Sequence, residues 1–277
     1  MGLRITTLSE NTAGMDGFLG EWGLSILVES DKAKVLFDTG QSVSTVHNAR
    51  LLGIDLSQID KIVLSHGHFD HTGGLRQVLS EIGREIEVIA HPDIWQAKYD
   101  TSESGESRYI GIPFSRRELE SLGAKFRLTA EPVAINDYIM TSGEVPMVTD
   151  YEEIEPSLVV KESGGFKPDI FRDDQALIIK TPPGLVVILG CAHRGIINTL
   201  YHARKLIGVK KIDTVIGGCH LMNASEERIW RTVAALKELG VGRLGACHCT
   251  GMAASVIMAQ EFGDRFLLNN AGTVLDL

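Results

Sequence analysis

The sequence predicts an α/β (α+β) fold in which helices cover β-sheets. The first third of the 277-residue chain is a series of short β-prone runs, and the second half alternates apolar strands with amphipathic helices. A third observation concerns where strands lead: four apolar runs pass directly into a histidine.

Arg4 to Leu8, Leu24 to Val28 and Lys34 to Phe37 are the first predicted strands. Asp31-Lys32 turns between the second and third, and Asp38-Thr39-Gly40 ends the third. Ile62 to Leu64 is a fully apolar strand. Leu75, Val78, Leu79 and Ile82 recur with helical spacing, and Thr72 is the expected N-cap of that helix. Glu87 to Ala90 is a strand, and Pro92 opens a short helix at its first position. Residues 100–114 are polar and poor in regular signals, reading as a lid or a surface excursion. Ser115-Arg116-Arg117-Glu118 matches a capping box that opens a short helix.

The second half begins with a hairpin of Ala176 to Lys180 and Leu185 to Leu189, turning at Thr181-Pro182-Pro183-Gly184. A helix over Ile196 to Leu206 precedes a strand at Ile212 to Ile216. A helix from Ser225 to Leu239, capped by Asn223 with Glu226, precedes a strand at Arg243 to Cys247. A helix over Met252 to Phe262 precedes strands near Phe266 and Val274. No short-period repeat is present.

Composition sets bounds. With 44% hydrophobic and 23% charged residues, the chain has an ordinary globular balance and ample core. No linker interrupts it, so residues 1–277 are expected to form a single domain. No apolar run approaches the roughly 18 residues of a membrane span, and Met1 to Thr7 lacks a signal-peptide core. A cytoplasmic location without membrane contact is the default expectation. The formal charge is −9 and basic residues are scattered, so no nucleic-acid partner is expected. The cysteines Cys191, Cys219, Cys247 and Cys249 all lie in the C-terminal third, near histidines. They read as thiols or ligands rather than disulfides.

The densest chemistry is His66-Gly67-His68-Phe69-Asp70-His71. Imidazole and carboxylate are the usual ligands of zinc, iron and manganese. Positions two apart in extended chain face the same way, so His66 and His68 can face one ion. The turn that follows brings Asp70 and His71 to a second position. A hydrogen-bonded surface histidine accounts for any one ring but not for the group.

The four strands that run into histidine end at His66, His193, His220 and His248. Collected at one sheet edge, they would face one cleft, on loops held by a rigid scaffold. His193 and His248 are expected to complete the site, and His220 to contact substrate or donate a proton. His47 and His202 read as solvent-facing helix residues, and His91 as structural. Asp38 is expected to accept a hydrogen bond from a ligating histidine. Asp173 and Asp174 are spare carboxylates that could bridge or support the ions. Cys191 reads first as a buried apolar thiol and second as a soft ligand. Cys247-His248-Cys249 lacks the spacing of a zinc ribbon or a ferredoxin cluster.

Ser65 to Gly74 matches H-x-H-x-D-H after a strand, and on it the chain resembles the metallo-β-lactamase superfamily. Leu36-Phe37-Asp38-Thr39-Gly40 is similar to a strand end of that family. Four further stretches resemble one branch: Glu21 to Ser25, Gly190 to Gly195, Gly217 to Leu221 and Cys247 to Gly251. It is the branch of the 7,8-dihydropterin-6-methyl-4-(β-D-ribofuranosyl)aminobenzene-5'-phosphate synthase-related proteins. The resemblance implies a four-layer αββα sandwich with metals at one edge. By its pattern His66, His68 and His193 hold a first ion, and Asp70, His71 and His248 a second. Most members carry Gly-Asp where Gly190-Cys191 stands, and that Asp bridges the ions. The bridge here, and whether His193 or Asp174 fills the third-histidine place, stay open.

The resemblance implies metal-assisted hydrolysis with two divalent ions, zinc first, manganese or iron as alternatives. A hydroxide held by the ions would attack phosphorus or a carbonyl carbon. Asp70 would ligate and orient it, and His220 would serve as acid or substrate contact. A small phosphorylated substrate, pterin- or nucleotide-like, is implied. The alternatives are an iron-dependent redox enzyme of the same fold and a metal-binding, non-catalytic sensor. A homodimer is expected only as the commonest soluble assembly.

Overall fold

The computed structural model describes residues 2–102 and 106–277. Its chain runs β1 (Leu3–Ser9), β2 (Ser25–Ser30), β3 (Lys34–Phe37), α1 (Ser44–Leu51), β4 (Lys61–Val63), α2 (Phe69–Thr72), α3 (Leu75–Ile82) and β5 (Ile86–Ala90). Then follow β6 (Lys98–Asp100), β7 (Arg108–Tyr109), α4 (Arg116–Ser121), β8 (Ala124–Leu128), β9 (Ile139–Thr141), β10 (Leu158–Glu162) and β11 (Gly165–Pro168). The hairpin β12 (Leu177–Thr181) and β13 (Gly184–Leu189) leads into α5 (Ile196–Ile207), β14 (Ile212–Gly218), α6 (Glu226–Glu238), β15 (Arg243–Cys247), α7 (Met252–Phe262) and β16 (Val274–Asp276).

Seven strands form one sheet in the order β16-β1-β2-β3-β4-β5-β8, and five form a second, β15-β14-β13-β12-β9. In each sheet the strands nearest the histidine motifs run parallel: β3 to β8 in the first, β13 to β15 in the second. Alternate residues point to opposite faces, and both faces are buried. Ile26, Val28, Val35, Phe37 and Val63 pack on Leu177, Ile179, Val186 and Ile188 of the opposite sheet. Their neighbours Leu27, Leu36 and Ile62 face outward onto helix residues such as Ala49, Val78 and Leu79. Ile178, Val187, Val215 and Leu244 likewise pack on Leu200, Val233 and Met258 of α5, α6 and α7. The result is the four-layer αββα sandwich, and it explains why these strands read as unbroken apolar runs rather than alternating ones.

Three local expectations are corrected. Thr72 does not cap α3; it closes α2, its Oγ1 donating to the His68 carbonyl at 2.8 Å, and Gly74 stands at the α3 N-cap. A Cβ on Gly74 would lie 1.9 Å from the Thr39 carbonyl, so the chain after the histidine motif presses directly on the end of β3. The cap of α6 is Ser225, which accepts from the Arg228 N–H, while Asn223 donates to Glu155. Near Phe266 there is an isolated bridge to Leu244, not a strand.

The stretch read as a lid or excursion is also revised. Asp100 and Arg108–Tyr109 belong to a four-stranded sheet, β11-β10-β6-β7. Residues 103–105 of that stretch lie outside the described residues. Among the described residues, no helix is long and apolar enough to cross a membrane.

Candidate metal centre

Both large sheets end at the same edge. The carboxyl ends of β1, β3 and β4 carry Glu10-Asn11, Asp38 and Ser65-His66. Those of β13, β14 and β15 carry Cys191 to His193, His220 and His248. Strand ends of this kind are the usual place for ligand sites in open α/β sheets.

Two adjacent groups of donors result. Atoms of His66, His68 and His193 lie within 4.8 Å of one another, as do those of Asp70, His71, Cys191 and His248. His66 Nε2 is 3.2 Å from His193 Nε2. Asp70 Oδ2 is 3.4 Å from His248 Nε2 and 3.7 Å from His71 Nε2, and Cys191 Sγ is 3.1 Å from His71 Nε2. A third group joins Cys191, His193 and His220. All but His220 are buried.

The backbone is strained to reach this arrangement. Among the described residues, the non-glycine residues with left-handed φ are Asp38, Phe171, Ala192, His220 and His248, at φ 47–59°. Every one is in the site or touches it. Such conformations cost about 1–3 kcal/mol each and persist where surrounding structure holds them.

That surrounding structure is dense. Asp38 Oδ2 accepts from His71 Nδ1 and from Ser65 Oγ, both at 2.7 Å, and its Oδ1 accepts the Ser65 N–H at 2.7 Å. Asn11 Oδ1 lies 2.9 Å from His248 Nδ1, and Glu10 Oε1 accepts the His248 N–H at 2.8 Å. Asp173 Oδ2 accepts the Gly67 N–H at 2.8 Å, and its Oδ1 pairs with the fully buried Lys98 Nζ at 3.0 Å. Lys98 also pairs with Asp169 and stands 4.6 Å from the Phe171 ring centre. The Phe171 ring is also stacked on His193, centroids 3.9 Å apart.

Burial, and the neighbouring histidines and Lys98, hold His66 and His193 well below the ordinary imidazole value, so both are neutral. Burial also disfavours charge on His71, but Asp70 and Asp38 outweigh it and push the ring up to about 9. Burial works against the Asp70 carboxylate too; His71 and His248 overcome it and keep the group ionised, below the usual carboxylate range. At His220, burial is outweighed by the Cys249 sulfur and Glu155, and the ring is pushed up to about 9. Burial pushes the Cys191 thiol up and raises Asp174 to about 7.

The donor set fits divalent ions by an independent observation. Among the described residues, the buried His68 Nε2 and His193 Nδ1 have no hydrogen-bond partner, and the buried His248 Nε2 has only Asp70 Oδ2, at 3.4 Å. An unpartnered buried polar atom is costly, and imidazole nitrogens beside an ionised carboxylate and a thiol are good ligands for zinc or iron.

Of the remaining residues singled out from sequence, neither Asp173 nor Asp174 belongs to a donor group among the described residues. Asp173 is occupied by Lys98 and Gly67, and Asp174 accepts the Arg194 N–H. His91 caps a short turn and contacts Glu144; His47 and His202 contact the carbonyls of Gly17 and Ser142. Sequence reasoning missed Glu10, Asn11, Lys98 and Phe171. Glu10-Asn11 carries a usable signal, since it too follows an apolar strand; Lys98 and Phe171 carry none. Beside the metal groups opens a cleft of about 530 Å³, lined by Tyr151, Glu155, His220, Asn223, Arg228 and Arg231 among others.

Fold and site together define a class: an αββα sandwich with paired histidine–carboxylate groups at one sheet edge. The chain belongs to the metallo-beta-lactamase superfamily, whose family model matches residues 23–220. It is 36% identical over 285 aligned positions to the 7,8-dihydropterin-6-methyl-4-(beta-D-ribofuranosyl)-aminobenzene-5'-phosphate synthase of Methanocaldococcus jannaschii, covering 99% of this chain and 96% of that one. Among solved structures it is similar to Tm1679, described as a metal-dependent hydrolase of the beta-lactamase superfamily. That match has a TM-score of 0.86 and 33% identity, covering 99% of each chain.

Proposed function

We propose that residues 1–277 form one domain that acts as a metal-dependent hydrolase on a small phosphorylated molecule, pterin- or nucleotide-like, at a two-ion site. One observation carries this reading: two contiguous donor groups in which the buried His68 Nε2 has no hydrogen-bond partner among the described residues and His248 Nε2 has only the Asp70 carboxylate, at 3.4 Å. His66, His68 and His193 would hold the first ion, and Asp70, His71 and His248 the second. Two such ions, zinc foremost, supply Lewis acidity and lower the pKa of bound water.

The chain's own groups do the rest. Asp70, ionised beside His71 and His248, orients the attacking water and accepts its hydrogen at the carboxylate. His220 Nε2 shares a proton with Glu155 Oε2 at 3.1 Å on the wall of the cleft, where a leaving oxygen can take it up. Arg228 and Arg231 line the same cleft and suit a phosphate group. The names of the two similar proteins, a synthase of a phosphate ester and a metal-dependent hydrolase, support the substrate class and the metal dependence respectively.

Elemental analysis of protein purified without added metal, beside His68→Ala, tests the reading. The expected result is about two zinc or manganese ions per chain, fewer in the variant, with hydrolysis of a chromogenic phosphoester. Iron with visible absorbance and no phosphoester hydrolysis would overturn the hydrolase in favour of a redox enzyme. Protein that stays metal-free after reconstitution would overturn the metal reading itself.

A further inference from the structure

We propose that the sulfur of Cys191 bridges the two metal positions, a thiolate shared between the histidine group and the aspartate group. The proposal rests on the two-ion reading and adds a ligand to it.

Cys191 stands where the donor groups meet. Its Sγ lies within 4.8 Å of donors on Asp70, His71 and His248, and also within 4.8 Å of donors on His193 and His220. His193 in turn belongs with His66 and His68. One sulfur therefore reaches the whole of the aspartate group and, through His193, one ligand of the first ion. Spare carboxylates do not compete for the place. Asp173 is held by Lys98 and the Gly67 N–H, and Asp174 by the Arg194 N–H.

The backbone is shaped to deliver this atom. Cys191 follows directly on Gly190 at the end of β13, and a Cβ on Gly190 would lie 2.1 Å from Ser65 Oγ. The strand end thus presses against the start of the histidine motif on the other sheet. The next residue, Ala192, has φ 53°, a left-handed turn that lets Cys191 and His193 both face the site. Cys249 Sγ donates to the Cys191 carbonyl at 3.6 Å and helps fix the turn.

Charge gives a second argument. Two divalent ions bring four positive charges into a buried pocket. The remaining donors in the two groups are imidazoles, which bind a metal in their uncharged form, and a single carboxylate, Asp70. A thiolate at Cys191 doubles the negative charge available. Placed between the ions, it offsets both at once, which a ligand to one ion cannot do. The thiol proton leaves to solvent when the ions bind, since a coordinating thiol is deprotonated outright. A sulfur bridge also selects soft or borderline ions, zinc or iron, over magnesium and manganese.

Zinc X-ray absorption on the whole chain tests the bridge. A zinc–sulfur scattering shell at about 2.3 Å is expected. Three proteins are compared: wild type with two zincs, His248→Ala loaded with one zinc at the first position, and His68→Ala loaded with one zinc at the second. A bridge gives sulfur scattering in all three, near one sulfur per zinc, and Cys191→Ser abolishes it while Cys249→Ser keeps it. The one-zinc pair leaves Cys191 in place, so the test stands even if Cys191→Ser fails to fold. Two zincs bound with sulfur in only one of the single-zinc variants, or with none, would overturn the bridge and leave the two-ion site intact. Wild type that binds no zinc would overturn both.

Discussion

Asp38 shows how a single side chain can order a candidate site from behind its donor groups. Its two oxygens gather the Ser65 backbone and hydroxyl and the His71 ring, all at 2.7 Å and all out of solvent. His71 is thereby fixed in tautomer and aim, with Nε2 left toward Asp70 and Cys191. Groups in this position typically contribute 10–100-fold to metal affinity. Asp38→Asn is expected to weaken metal binding by about that factor, measured by competition with a chromophoric chelator. It should cost less stability than Asp38→Ala, which strands all three donors. At this scale the sequence was legible where chemistry is clustered: three imidazoles and a carboxylate within six residues have no ordinary packing role. Asp38 was legible because it ends an apolar strand. Lys98, Phe171 and Asn11 were not, because what makes them matter lies far along the chain. Lys98 finds Asp173 across 75 residues, and Asn11 finds His248 across 237.

Among the elements, the small sheet of β6, β7, β10 and β11 is tied to the metal loop through one buried cation. Lys98 on β6 pairs with Asp169 and Asp173, and Asp173 holds the Gly67 N–H between His66 and His68. Removing one partner of a buried ion pair costs about 3–5 kcal/mol, so Lys98→Met should lower stability by that order in urea unfolding near neutral pH. The pH dependence has a definite sign. Burial disfavours charge on Lys98, but Asp173 and Asp169 outweigh it and hold the ammonium above its ordinary value. Its contribution is therefore full below about pH 10.5 and is lost as pH rises through the higher folded value. The gap between wild type and Lys98→Met should narrow in strongly alkaline buffer, and a constant gap would contradict the pairing. The large sheets were readable from their apolar runs and the helices from their spacing. The small sheet was not, for a physical reason. Its strands are two to five residues long, β7 and β11 are exposed along their whole length, and only β10 buries a short apolar run, Leu158 to Val160.

For the whole molecule, the site joins the two sheets. His66, His68, Asp70 and His71 follow β4 of one, while Cys191, His193 and His248 follow β13 and β15 of the other. An ion bound here ties the halves of the sandwich together and binds the folded state alone. Free metal at about 100 times its dissociation constant stabilises by about 2.7 kcal/mol. Chelation should therefore lower Tm by several degrees and restoration of metal should return it, followed by calorimetry. An unchanged Tm would mean that the site does not hold metal in the folded protein. The four-layer arrangement was anticipated from the histidine motif through family resemblance. The facing of the two sheets was not visible in composition or periodicity, since strands buried on both faces read alike whichever layer they meet.

The same geometry has a consequence in time. His66 meets His193 across 127 residues, His71 meets Cys191 across 120, and His248 meets Glu10 across 238. Contacts of such sequence separation carry a large loop-closure cost, and we expect them to close after both sheets have formed and docked. The ligand constellation is then absent from the folding transition state, so metal should leave the refolding rate nearly unchanged and slow unfolding instead. The ion would act less as a nucleus for the fold than as a latch that delays its opening.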